Sequence, residues 1–206
     1  MKYFLFVFCP LFIFYSCKKD ETPDETPSVQ SLLNNGSTPK ELYDSGTPLD
    51  SLYGKSFQGG ILAYLNVVDG TGLVSANADL SQVWSNWGCS GTDLTGAANT
   101  SMGGGAQNTT DILASCSDSN MPAQLCSDYA YGGYTDWYLP SKDELNALYT
   151  NLKAKGLGSF PDQQYWSSSE VDADNVWRQS FTDGSQYSTT KNLLAVQSNI
   201  RPVRSF

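Results

Sequence analysis

LPSKDELNALYTNLKAKG, residues 139–156, carries the clearest local structural signal in the chain. Ser141 and Glu144 stand three apart after Pro140. At that spacing a serine hydroxyl caps the first turn of a helix and the glutamate reaches back to the cap residue. Leu145, Leu148, Tyr149 and Leu152 then fall at i, i+3, i+4 and i+7, one apolar helical face, and Gly156 offers a stop. Downstream lie short runs of strand formers: YWSSS from Tyr165, VWRQSF from Val176, SQYSTT from Ser185 and the closing IRPVRSF, with a turn at Asp183-Gly184. A helix followed by a strand-rich segment predicts an α+β domain.

Working outward, FQGGILAYLNV (57–67) and GLVSA (72–76) flank VDGTG and read as a hairpin, with Gly59-Gly60 marking a bulge or a close backbone approach. Residues 84–108 are rich in Gly, Ser, Thr, Asn and Trp and read as long surface loops. Helical signals follow at about 108–116 and at 122–130, the second opened by Pro122. Before the hairpin, SLLNNG, STPKELYDSG and TPLDSLYG each hold a Leu-bearing turn closed by glycine. Residues 29–53 therefore predict two or three short helices, with a small capping box across Ser37–Glu41, packed on a main domain of residues 54–206.

The N-terminus carries a different signal. Lys2 precedes an apolar run from Tyr3 to Tyr15, too short to span a bilayer but long enough for a signal-peptide core. Ser16-Cys17 sits where that run meets Lys18-Lys19-Asp20-Glu21, an arrangement that resembles the lipobox of bacterial lipoproteins. The resemblance implies removal of residues 1–16, lipidation of Cys17 and attachment to a membrane by several acyl chains, palmitate among them. Lysines and then acids after the cysteine resemble the surface-export signal of lipoproteins in the Bacteroidetes group. That implies an outer-membrane protein facing outward. Residues 17–28 are charged, hold prolines and lack large apolar groups, so they read as a flexible tether.

Composition narrows the function. The 190 residues after position 16 hold 11 basic and 21 acidic side chains, a net charge of −10, which argues against nucleic-acid partners. The chain has no histidine, so the usual general base, the commonest metal ligand and any Ser-His or Cys-His pair are missing. Ser167-Ser168-Ser169 has nothing to activate it, and Gly103-Gly104-Gly105 lacks the Lys-Ser/Thr ending of a phosphate loop. Beyond the anchor, Cys89, Cys116 and Cys126 allow three pairings. Cys89 with Cys116 is the preferred disulfide, because Cys126 sits in a predicted helix; no zinc site is expected.

GGYTDWYLPSKDELNALYTNL (132–152), YWSSSE (165–170), VWRQSFTDG (176–184) and IRPVRSF (200–206) together resemble the DUF1566 or Lcl C-terminal domain family. The four blocks occur in order, and the GGILAYL and GLVSA segments look like the start of the same domain. The resemblance implies a compact, C-type-lectin-like α+β envelope module, and the family's founding member is an adhesin that binds sulfated glycosaminoglycans. Sulfate binding needs clustered cations, and late in this chain they are only Arg178, Lys191, Arg201 and Arg204. Arg201 and Arg204 are expected to pair with acids such as Asp136 or Glu144.

The expected function is therefore a non-enzymatic, adhesin-like module that binds a carbohydrate or a cell-surface protein. A structural or assembly role in the envelope is one alternative, and a glycan hydrolase using carboxylates alone is the other. Trp137 and Trp166 read as core. Trp84, Trp87 and Trp177 are the aromatic ligand-binding candidates. Glu170, Asp172, Asp174 and Asn175 form an oxygen-rich cluster that points one way if extended, and it is the only candidate for calcium. No other cofactor is expected.

Overall fold

The computed structural model describes residues 26–80, 86–192 and 198–206. Capping chemistry starts the chain. Helix α1 (Val29–Asn34) is capped by the Ser28 hydroxyl, which accepts from the Ser31 amide. Helix α2 (Pro39–Asp44) opens on a capping box between Thr38 and Glu41, and α3 (Leu49–Leu52) follows. Helices this short do not persist alone. Each buries a leucine, Leu33, Leu42 and Leu52 in turn, into the core of the main body, a contribution of about 1.5–3 kcal/mol per side chain.

Two four-stranded sheets form the body. The first has the order β1 (Ser56–Phe57), β2 (Gly60–Leu65), β3 (Gly72–Ser75), β8 (Val203–Ser205). The second has the order β6 (Gln186–Thr190), β5 (Asn175–Ser180), β4 (Gln164–Glu170), β7 (Ser198–Asn199). The closing stretch joins them. Strand β7 runs parallel to β4, Ile200 bridges to Leu80, Val203 bridges to Tyr138, and β8 lies antiparallel on β3 with Arg204 opposite Val74.

Helix α6 (Lys142–Asn151) begins at the predicted capping box, with the Ser141 hydroxyl accepting from the Glu144 amide. It packs on β2, β4 and β5 and buries Leu145 and Leu148, with Leu152 just beyond its end, among Leu62, Tyr165 and Phe181. A second core holds Trp87, Leu94, Ile112, Leu139 and Trp166. Helices α4 (Gly105–Ser115) and α5 (Pro122–Ser127) border it. Cys89 and Cys116 are joined by a disulfide, and Cys126 is a buried free thiol.

One expectation fails in this second core. The stretch read as surface loops brings Trp87, Leu94 and Ala97 inside. Its backbone can be buried because its polar groups have partners. The Glu170 carboxylate accepts from the Leu94 amide at 2.8 Å, Lys191 Nζ donates to the Thr92 carbonyl at 2.7 Å, and Asn108 Nδ2 and Ser169 Oγ donate to the Asn99 carbonyl at 2.7 Å each. Every such contact spans distant sequence or a helix start, so local composition does not reveal it.

Candidate functional site

The acidic cluster does not assemble. Strand β4 ends at Glu170, and residues 171–174 turn back instead of continuing extended, so the alternation that aligned the three acids is lost. Glu170 points inward and is ion-paired with Lys191, both side chains essentially enclosed. Asp172 Oδ1 accepts from the Asp174 amide, the Asn175 amide and Asn175 Nδ2 at 2.8–2.9 Å. Those bonds, the Asp174 amide first, hold the Asp172 carboxyl below the ordinary aspartate range. The cluster is a hairpin turn plus a framework ion pair. Among the described residues, three metal-ligating side chains converge only at Cys89, Cys116 and Asp118, where both sulfurs are in the disulfide.

Nor do Trp87 and Trp177 share an exposed face. Trp84 lies outside the described residues. Trp87, expected at the surface, is 1% exposed; its indole N–H donates to the Ser167 carbonyl at 2.8 Å and Lys191 Nζ lies 5.1 Å from the ring centroid. It is a core residue and offers no ligand surface. Trp177 is half-buried on β5 beneath Lys142, whose Nζ is 4.0 Å from its ring centroid.

The closing arginines are framework residues. Arg204 takes both oxygens of Asp136 at 2.8 and 2.9 Å and lies 3.9 Å over Tyr134. Arg201, 1% exposed, pairs with Asp79 at 2.6 Å, and it does not pair with Glu144. Asp79 also accepts from Tyr165 and Asn199 at 2.8 and 2.7 Å. Glu144 is fully enclosed and accepts only from neutral donors: the Tyr138 hydroxyl, the Gly103 amide and the Ser141 amide, at 2.8–3.0 Å. Burial dominates and raises its pKa despite those bonds.

Arg178 is the exception to this pairing. It is 3% exposed, and its Nε and Nη2 have no hydrogen-bond partner among the described residues. Its guanidinium lies 4.8 Å from the Trp166 ring centroid, and burial lowers its pKa.

Three pockets bear on these side chains. A pocket of about 340 Å³ lies between Tyr64, Met102, Glu144 and Phe206. A second, of about 350 Å³, is bounded by Asn86, Cys89, Asp118 and Lys191. The third is a groove of about 320 Å³ lined by Asn34, Ser56, Phe57, Gln58, Asn77 and Tyr131 around Gly59-Gly60. None of the three has two acids in its lining. The two buried carboxylates, Glu144 and Glu170, share no hydrogen-bond partner.

The groove is shaped by glycines. A Cβ on Gly59 would stand 2.6 Å from the Tyr134 ring, and one on Gly132 would stand 2.5 Å from the Gly59 Cα. The β1–β2 turn thus rests directly on the 131–134 hairpin. The Gly59-Gly60 pair was legible as a close approach. Its partner at Gly132-Gly133, framed by Tyr131 and Tyr134, is the sequence feature that marks the opposite wall.

The family model described as Lcl C-terminal domain matches residues 77–204. A search of curated proteins returns no match. Among solved structures, a fimbrial protein from Bacteroides ovatus ATCC 8483 is similar at 16% identity and a TM-score of 0.41, over 70% of this chain and 43% of that one. The chain therefore spans less than half the length of that protein.

Proposed function

Because the chain belongs to the Lcl C-terminal domain family, we propose that it is a non-enzymatic recognition module, held on the outer face of the outer membrane by lipid on Cys17, that binds a carbohydrate or a cell-surface protein. The carrying observation is how the charged groups are used. Arg201, Arg204, Lys191 and Glu170 are all committed to framework ion pairs. Glu144 is locked by three neutral donors, the Ser141 amide of its capping box and, from outside it, the Tyr138 hydroxyl and the Gly103 amide. A carboxylate-only hydrolase needs two acids facing one cleft at about 5–10 Å, and that geometry is not what the described pockets offer. The groove beside Tyr131 has no charged side chain in its lining, which suits binding better than bond breaking. Cys17 lies outside the described residues, so the anchor rests on the sequence motif alone.

The test has two readouts on the full chain expressed in a Gram-negative host. Radiolabelled palmitate should enter the wild type and not a Cys17→Ala variant, and protease added to intact cells should remove the wild-type domain. A wild type that takes no label, or that resists protease until the outer membrane is opened, overturns the anchored, outward-facing reading.

A further inference from the structure

We infer that the groove between the β1–β2 turn and the Tyr131–Tyr134 hairpin is a binding site for an uncharged, hydroxyl-rich saccharide. The inference rests on the recognition reading above and gives it a place and a ligand class. Its first support is aromatic. Among the described residues three large apolar side chains are well exposed, Val68, Val171 and Tyr131, and of these Tyr131, 45% exposed, is the one that lines any of the three pockets above. Its ring is held from behind. Tyr129 stacks parallel to it with centroids 6.0 Å apart, and Tyr129 in turn meets Trp137 edge-on at 5.4 Å. A rigid, half-exposed aromatic ring is a platform for the apolar face of a sugar, with little ordering entropy left to lose on binding.

The second support is the polar inventory. No charged side chain lines the groove, in a protein whose formal net charge is −9. What lines it are amides and hydroxyls with unused capacity. Gln58 Oε1 is taken by Arg204 Nη1 at 3.0 Å, and its NH₂ group has no partner among the described residues. Asn34 Oδ1 accepts from Gln30 at 2.9 Å, and its NH₂ group likewise has none among them. Asn77 Nδ2 donates to the Tyr131 hydroxyl at 3.2 Å. That bond leaves the Asn77 carbonyl as an acceptor and the Tyr131 proton as a donor. The Ser56 hydroxyl can serve as either. Three donor groups, one acceptor and one hydroxyl of either kind thus share the groove with an aromatic ring, an inventory suited to sugar hydroxyls, which both donate and accept.

The third support is preorganisation. Gln58 adopts φ +42°, a left-handed conformation rare outside glycine, and it is fixed there by Arg204, which is itself clamped by Asp136. Gln30 bonds both the Ser56 amide and its carbonyl at 2.9 Å. The groove walls are therefore set before any ligand arrives. A volume of about 320 Å³ is at the small end for ligand sites and suits a short saccharide. An anionic sugar would find no cation there, so sulfated or carboxylated glycans should be bound no better than neutral ones.

The test uses the full chain, purified in a detergent without a sugar headgroup, on an array holding neutral, carboxylated and sulfated glycans. Binding to neutral glycans is expected. Tyr131→Ala should weaken it roughly 30-fold, the loss typical of an aromatic anchor. Tyr131→Phe, which keeps the ring, and Asn77→Ala should lose less, and Val171→Ser, on a distant exposed turn, should bind as wild type. Neutral-glycan binding that survives Tyr131→Ala overturns this site but leaves the recognition reading in place. Binding confined to sulfated or carboxylated glycans, or no glycan binding alongside a peptide or protein partner captured by crosslinking, overturns the saccharide assignment.

Discussion

Replacing Lys191 by methionine removes the cation from the buried pair and leaves the Glu170 carboxylate, 3% exposed, with only the Leu94 amide as a donor among the described residues. Breaking one side of a buried ion pair costs about 3–5 kcal/mol, because the remaining charge is desolvated without compensation. Lys191→Met also drops the bond to the Thr92 carbonyl. For a chain of this size each kcal/mol moves the midpoint by about 2–4 °C, so a fall of about 6–20 °C is expected. Methionine fills much of the lysine stem's volume, which keeps a cavity from dominating. The double variant Glu170→Gln/Lys191→Met takes the charge away from both sides and should recover at least half of the loss. Equilibrium urea unfolding followed by tryptophan fluorescence, with the disulfide intact, reads both. If Lys191→Met stays within about 1 kcal/mol of wild type, the pair is not the lock on the 86–94 segment that this structure describes.

Three further outcomes follow from the same framework. Arg178→Met should be neutral or stabilising in the same unfolding assay, because it removes a buried guanidinium with unpartnered nitrogens; a loss above about 2 kcal/mol would show that Arg178 has a partner. Reducing Cys89–Cys116, or replacing both by alanine, opens a loop of 27 residues and should cost about 3.5 kcal/mol by the chain-entropy relation. The pH profile should have two limbs. Glu144 has a raised folded-state pKa, so its contribution is present below the ordinary glutamate value and is lost as pH rises through the higher folded value. Asp136, held low by the Arg204 hydrogen bonds, contributes above the ordinary aspartate value and is lost as pH falls below it. Glu144→Gln should flatten the upper limb and leave the lower one, as followed by thermal melts across pH.

The helix at 142–151 and the hairpin around 60–75 were legible because their signals are local: a capping box, a 3.6-residue apolar period and a glycine-bearing turn between strand formers. The helical starts at Thr38 and Pro122 were readable for the same reason. The disposition of the acids and tryptophans was not. Whether Trp87 faces water depends on Ser167 and Lys191, 80 and 104 positions away, and whether Glu170 faces a ligand depends on Lys191 and Leu94. Gly, Ser and Asn around residues 87–104 suggested exposure, yet side chains from β4 and α4 satisfy that backbone and let it be buried. The groove is not legible locally because its residues come from four separate segments. Glycine contacts between the β1–β2 turn and the 131–134 hairpin, together with Arg204 bonded to Gln58 and stacked over Tyr134, bring Gln58 and Tyr131 together.

Amide chemical-shift mapping of the full chain, titrated with the neutral saccharide that binds best on the array, tests the groove assignment most directly. Saturable shifts centred on Gln58, Asn77 and Tyr131 are expected, with Asp172–Asn175 and the Phe206 pocket unmoved. Shifts centred on the 171–175 turn or on Trp177, with Tyr131 silent, would contradict it.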